Sequence, residues 1–302
     1  MGANAKVVKR RIKSIANTMK ITKAMELVAA SKMRRATMAV VDTRPFAKLS
    51  WQTIKSIAQY APSVSHPLIE ENEQAEKILL VLFTSDRGLA GGYNANVIKK
   101  AIQLLRDNKG IPFDLISIGK RGNAALSKKK VNVIANFEGL TNKPTFKDVL
   151  PIAKMIVDGY SEGKYKKVVI AYTDYISGLE QKARLLELLP FGGPDEELGS
   201  VSKKDKNVNG NGIYEYTFEP NAQEVFNRTL PRLVETMVYQ ALLEATASEH
   251  SARMMAMRNA SDAAGEMLEE LRFTYNRIRQ AGITQEIAEI STGKAALETA
   301  NN

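Results

Sequence analysis

The 302-residue chain contains no cysteine, so it can form neither a disulfide nor a thiol switch, and a reducing compartment suits it. It has two histidines, His66 and His250. That leaves little imidazole for base catalysis or metal ligation, and no HExxH, GxSxG or carboxylate cluster with ligand spacing occurs. For both histidines an exposed or capping role is expected. The longest strongly apolar run is Ile78 to Phe83, far short of the roughly 20 residues a membrane span needs. The basic N-terminus is followed by no apolar block of secretory type.

Proline and aromatic residues are missing in a telling place. Residues 1–44 hold no proline, no aromatic residue and one glycine, Gly2; everything after Pro231 is again proline-free. Such stretches, with apolar residues three and four apart, predict long helices. The first is expected from Ala5 to Thr43, about 60 Å at 1.5 Å per residue. Val8, Ile12, Ile15 and Met19 have the spacing of a coiled-coil seam, which then shifts through Ile21, Met25 and Val28. Arg44-Pro45 is expected to end it, because a residue before proline is driven out of the helical region. The second begins near Asn221, with Pro231 starting or kinking it, and runs to about Leu297. A helix of that length needs a packing partner, and the N-terminal helix, running antiparallel, is the candidate.

Between them the period changes. Lys77–Thr84, Phe113–Ile118, Val131–Ile134, Val168–Thr173 and Ala183–Leu189 read as strands. Helices are expected from Asn94, over 121–129 and over Asp148–Tyr160. This alternation implies an α/β doubly wound sheet. The segment 192–212 reads as a loop, and Tyr214–Phe218 as one more short strand. The expected division is 1–48, an N-terminal helix; 49–220, an α/β domain; and 221–302, a C-terminal helix.

Charge is concentrated as well. Residues 1–48 carry twelve Lys or Arg against Glu26 and Asp42, which accounts for the whole net charge of +10. An acidic partner surface is implied: nucleic acid, anionic lipid or an acidic protein. Nine of the ten methionines after Met1 fall in the terminal helices, among many alanines. Small and adaptable side chains there suit a slim helical pair. The loop Ser85-Asp-Arg-Gly-Leu-Ala-Gly-Gly-Tyr-Asn94 lies between strand and helix, where phosphate-binding loops sit, but matches neither GxGxxG nor GxxxxGK[ST].

These residues carry a family resemblance. Lys9 to Arg35 (KRRIKSIANTMKITKAMELVAASKMRR) resembles the start of the gamma subunit of rotary F-type ATP synthases, and Ser85–Asn94 resembles its glycine loop. Ala247–Ala260 and Tyr275–Ile290 resemble its C-terminal helix. Ala90 stands where that loop often has cysteine, and Gly293-Lys294 where the family usually has Gly-Ala. The resemblance implies a non-catalytic rotor. Its terminal helices form an antiparallel coiled coil inside a ring of alpha and beta subunits, and its α/β foot lies against the epsilon subunit and the membrane c-ring. It implies no cofactor or metal, and a location peripheral to the cytoplasmic side of a bacterial membrane. Lys20, Lys23, Met25, Lys32, Arg253, Gln280, Thr284, Glu286 and Glu289 match torque or ring-contact positions. Asp86, Arg87, Gly88, Gly91 and Gly92 match the foot loop. The alternatives are a nucleic-acid-binding protein using the basic helix, and a phosphate-substrate enzyme built on the α/β body.

Overall fold

The computed structural model describes residues 2–60, 66–129, 131–191, 219 and 221–300. The expected loop 192–212 and strand Tyr214–Phe218 lie outside the described residues. The elements are α1 (Gly2–Tyr60), β1 (Lys77–Phe83), α2 (Tyr93–Asp107), β2 (Phe113–Ile118), α3 (Lys120–Leu126), β3 (Asn132–Phe137), a 3-10 turn (Leu140–Asn142), α4 (Phe146–Ser161), β4 (Tyr165–Tyr175), β5 (Gln181–Leu189) and α5 (Ala222–Ala300). They fall into two compact units, Met1–Val28 with Met254–Asn302, and Ala29–Arg253.

The second unit is built on one sheet of order β3-β2-β1-β4-β5. The first four strands are parallel. Both faces are covered, which is why β1 reads as an unbroken apolar run rather than an alternation. Ile78, Leu80 and Leu82 pack against Val97, Ala101 and Leu104 of α2. Leu79, Val81 and Phe83 share the opposite core with Val149, Ile152 and Ile156 of α4 and with Leu233, Met237 and Leu242 of α5. The strand–helix alternation fails once. β4 reaches β5 through a short turn, in which Ile176 N–H and Ser177 N–H donate to Glu180 O at 3.2 and 3.0 Å. So short a link cannot carry a parallel crossover, and β5 pairs antiparallel.

α1 overruns its expected end. It is 59 residues long and contains Pro45. A proline inside a helix costs about 3 kcal/mol, because the N–H is lost and the ring crowds the carbonyl four residues back. Tertiary bonds hold the preceding turn in place. Thr43 Oγ1 donates to Gln240 Oε1 at 2.7 Å, and the Arg44 guanidinium is paired with Glu244. Ala36 and Val40 of α1 pack against Leu243 and Ala247 of α5, so the two helices run antiparallel here. α5 likewise starts at Ala222 and passes through Pro231.

In the first unit the seam is stricter than the apolar pattern suggested. Val8, Ile12, Ile15, Met19, Thr22 and Glu26 are half-buried at four- and three-residue spacing. The seam does not shift to Ile21 and Val28, which are 60% and 57% exposed. Its facing residues are Met257, Ser261, Ala264 and Leu268, all buried. Thr22 Oγ1 and Ser261 Oγ lie 2.7 Å apart across it.

Candidate functional site

Two features of the second unit meet at the carboxyl edge of the sheet, where chemistry-bearing loops of α/β folds gather. One is the glycine loop after β1. The other is a turn of α5 around Glu249–Arg253. Left-handed backbone at Leu89 (φ 60°) and Gly91 (φ 53°) folds the loop back on itself. Asn94 Oδ1 accepts from the Ser85 N–H at 2.9 Å. The Asp86 carboxylate accepts from the Lys120 N–H at 3.2 Å and the Gly139 N–H at 2.8 Å, tying the loop to α3 and to the turn after β3. Beside it, Gly119 (φ 89°) is obligatory, since a Cβ there would lie 2.2 Å from Thr84 O.

The loop turns two carbonyls toward its neighbour. Arg253 Nη2 donates to Arg87 O at 3.3 Å and to Gly88 O at 3.4 Å. The same guanidinium pairs with Glu249 at 2.7 Å. A phosphate cradle needs the opposite polarity, with N–H groups free to meet an anion. The loop carries a carboxylate, Asp86, instead. The loop is a tight turn that needs special backbone angles.

Burial dominates the electrostatics of this corner. It raises the Glu249 carboxyl above its ordinary range, with Asp86 adding to the rise and Arg253 opposing it. Burial likewise lowers His250 to about 4, assisted by the positive charges of Arg253, Lys32 and Arg35. His250 is therefore neither exposed nor available as a base; it is a buried neutral imidazole, 4% exposed. His66 does cap, its Nδ1 accepting from the Leu68 N–H at 3.1 Å. Tyr93, at the base of the loop, is wholly buried and its hydroxyl is pushed well above its ordinary value, first by burial.

The structure joins two groups of residues that the sequence kept apart. Arg253 and the foot-loop residues Asp86, Arg87 and Gly88 form one cluster. Lys32 reaches it from α1, donating to Asn142 Oδ1 at 2.9 Å on the adjoining 3-10 turn. Glu249, His250 and Thr141 complete the cluster and were not signalled by any motif chemistry. Gly92 caps α2, and Gly91 supplies the turn.

The remaining predicted residues lie in the first unit. Lys20 is exposed and Met25 half-buried. Lys23 Nζ sits 2.9 Å from Glu26 Oε2. Lys6, Lys9, Arg10, Arg11 and Lys13 are all exposed. Gln280, Thr284, Glu286 and Glu289 are exposed near the end of α5, and Gln285 Nε2 donates to Glu289 Oε1 at 2.7 Å. Residues 283–293 are exposed without exception, including Ile283, Ile287 and Ile290 at 49%, 59% and 72%. Counting along both helices from the Thr22–Ser261 pair, α1 begins opposite roughly residue 281, because the two rise equally per residue. Beyond that point α5 has no partner from α1.

Among the described residues no group of His, Asp and Glu could hold a metal ion, and no helix is long and apolar enough to cross a membrane.

Comparison with known proteins agrees with this arrangement. The family model described as ATP synthase matches residues 4–297. The ATP synthase gamma chain of Xanthomonas campestris pv. campestris (strain B100) is 37% identical over 297 residues, covering 98% of this chain and all of that one. The gamma chain of Stenotrophomonas maltophilia (strain R551-3) is 36% identical over the same span. Among solved structures, a chain of the Euglena gracilis mitochondrial ATP synthase (OSCP/F1/c-ring) covers all of this chain at TM-score 0.66 and 17% identity, with 97% of its own length matched. A chain of the Tetrahymena thermophila mitochondrial ATP synthase central stalk/c-ring covers 80% at TM-score 0.58 and 24% identity, with 99% of its own length matched. These two likenesses concern the fold. Nothing in the comparisons supports the nucleic-acid reading. With a family match over nearly its whole length and gamma-chain relatives above one-third identity end to end, the chain belongs to the ATP synthase gamma-chain family.

Proposed function

We propose that this gamma subunit works as a torque-transmitting axle whose outward side chains, not its seam, engage the alpha and beta subunits. It is a central-stalk subunit and not itself catalytic. The observation that carries the reading is the bare end of α5, where Ile283, Ile287 and Ile290 stand in solvent on a helix that α1 no longer covers. Long helices draw their stability from packing, so an uncovered apolar tip calls for a sleeve from other chains. Gln280, Thr284, Glu286 and Glu289 lie on that tip and make the ring contacts. Lys20, Lys23 and Met25 face acidic segments of the beta subunits, whereas Lys32 is engaged with Asn142 of the foot. Arg253 braces the foot loop of Asp86, Arg87, Gly88, Gly91 and Gly92, and the α/β domain meets the epsilon subunit and the c-ring. The protein is held at the membrane through the complex, peripherally, on the cytoplasmic side of a bacterial cell.

Torque does its work by differential contact. An asymmetric axle offers each catalytic site a different face, and so favours a different conformation in each. A face that touched all conformations equally would shift none of them. Mixing the chain with purified alpha and beta subunits tests this. A stable complex whose ATPase activity requires both ends of the chain is expected. A complex equally active without residues 283–302 would overturn the reading. Met25→Lys adds charge among basic neighbours, and reconstituted vesicles carrying it are expected to make less ATP per proton.

A further inference from the structure

The second unit contains a second charged cluster, built from none of the residues of the glycine loop and none of those discussed as ring contacts. Arg44 of α1 donates from Nε to Glu244 Oε1 and from Nη2 to Glu244 Oε2, each at 2.9 Å. Its Nη2 also donates to Tyr175 O, at the end of β4, at 2.6 Å. Glu244 returns the grip, its Oε2 accepting from the Tyr175 N–H at 3.0 Å. One residue of the sheet is thus held at both its peptide groups by an ion pair whose members come from the two long helices. Gln240 Nε2 donates to Glu244 Oε1 at 2.9 Å and its Oε1 accepts from Thr43 Oγ1 at 2.7 Å, closing a second tie between α1 and α5. Asp174, the neighbour of Tyr175, places Oδ2 3.0 Å from Arg184 Nε and Oδ1 4.0 Å from Arg44 Nη2. Glu244 and Asp174 are fully buried.

Stability alone does not account for such a cluster. Burying an ion pair costs desolvation that the attraction between the charges often only just offsets, and packed apolar residues of similar size serve as well or better. What the pair adds is direction. A guanidinium fork on a carboxylate fixes two parallel bonds in one plane, whereas apolar surfaces in contact can slide or rotate at little cost. The position matters too. Pro45 deprives α1 of the rung to Val41 O, so the turn 41–45 resists twist least. The fork grips α1 at Arg44, within that turn. Both helices are continuous through the joint, α1 from Gly2 to Tyr60 and α5 from Ala222 to Ala300.

We infer that the Arg44–Glu244 fork, closed on the Tyr175 peptide and braced by Gln240 and Thr43, is the torsional joint through which load passes between the sheet domain and the two long helices. This rests on the axle reading above. Arg44 and Glu244 are positioning residues: they touch no nucleotide and act by holding α1, α5 and β4 in fixed angular relation.

The test uses the whole ATP synthase in sealed vesicles, with ATP hydrolysis and proton pumping measured on the same preparation. Arg44→Lys keeps the charge and loses the fork. ATP-driven helices are then expected to turn against a compliant foot. Hydrolysis stays within about twofold of wild type while protons pumped per ATP fall about threefold or more, since lysine cannot replace a bidentate fork. The exchanged pair Arg44→Glu with Glu244→Arg restores part of the ratio, which a loss of fold stability would not do. Angular fluctuation of a bead carried by the immobilised rotor widens in Arg44→Lys and narrows again in the exchanged pair. If Arg44→Lys fails to assemble, Gln240→Met, which removes only the brace, is read the same way, with a smaller fall in ratio. Pumping and hydrolysis falling together, with their ratio and the bead fluctuation unchanged, overturns the joint. A wild-type complex that hydrolyses ATP without pumping overturns the axle reading instead.

Discussion

Residues 240–251 of α5 are buried on every side, whereas residues 283–293 of the same helix are exposed on every side. The buried stretch is not apolar. It holds Gln240, Glu244, Thr246, Ser248, Glu249, His250 and Ser251 among Leu242, Leu243, Ala245 and Ala247. Three of its hydroxyls find carbonyl partners inside the fold. Thr246 Oγ1 donates to Leu242 O at 2.7 Å, Ser248 Oγ to Thr173 O at 3.0 Å and Ser251 Oγ to Gly178 O at 2.7 Å. The exposed stretch inverts this, with isoleucines in water and a glutamine–glutamate bond on its surface. The first stretch is specified by its own chain, and on the proposed axle reading the second is specified by the chains around it. Their sensitivities to mutation should differ in kind.

The largest expected difference is in the core. Leu242→Ala opens a cavity at a site with no exposed surface and should destabilise the chain by about 3 kcal/mol in denaturant melts. Ile287→Ala should change the same measurement by less than about 0.5 kcal/mol. Similar losses from the two would dissolve the contrast. A smaller effect comes from buried hydroxyls. Ser248→Ala strands the Thr173 carbonyl and should cost about 1 kcal/mol, while Thr284→Ala at the tip costs nothing measurable.

The buried titratable groups sharpen the comparison through pH. His250 stays neutral in the folded chain down to about 4, while the unfolded chain takes up its proton near the ordinary 6.5. Its contribution to stability is therefore intact above 6.5 and is lost as pH falls toward 4. Asp174 acts in the opposite sense. Burial, aided by the Glu244 charge, raises it to about 6 from 3.8. The folded chain holds that proton longer than the unfolded one, so its contribution declines as pH climbs from 3.8 to 6. Melts between pH 4 and 7 should show a shallower acid-side loss for His250→Gln and a steeper one for Asp174→Asn. Unchanged slopes in both variants would refute the assignment. The smallest expected change in the isolated chain comes from replacing Ile283, Ile287 and Ile290 together by serine. Melting should not move, yet coupling in the assembled complex should drop.

Much of this was legible in the sequence, for identifiable reasons. A run such as Ile78–Phe83 has few homes other than a sheet covered on both faces, and Val8-Ile12-Ile15-Met19 has few other than a helical seam. The glycine loop and the terminal motifs gave the family. What stayed hidden depends on contacts between distant residues. Proline statistics stop a helix at Arg44, and only the Glu244 and Tyr175 bonds show why α1 continues. Ile21 and Val28 look like seam residues, while Thr22 and Glu26 occupy the seam. His250, beside an acid in a polar stretch, gives no sign that a turn 109 residues earlier, at Thr141, covers it. The joining of Arg253 to the foot loop is equally a tertiary event.

The hydroxyl pair of Thr22 and Ser261 has a consequence for timing. A seam of alanine and methionine alone could slip by a heptad at small cost, and the angular phase of every outward residue would slip with it. Here a displaced helix would break the bond between the two hydroxyls, about 1 kcal/mol, while each keeps its bond within its own helix, to Met19 O and to Met257 O. The pair is an index mark, like the key on a camshaft. It sets which side chain points in which compass direction, and so the order in which an encircling ring would feel them.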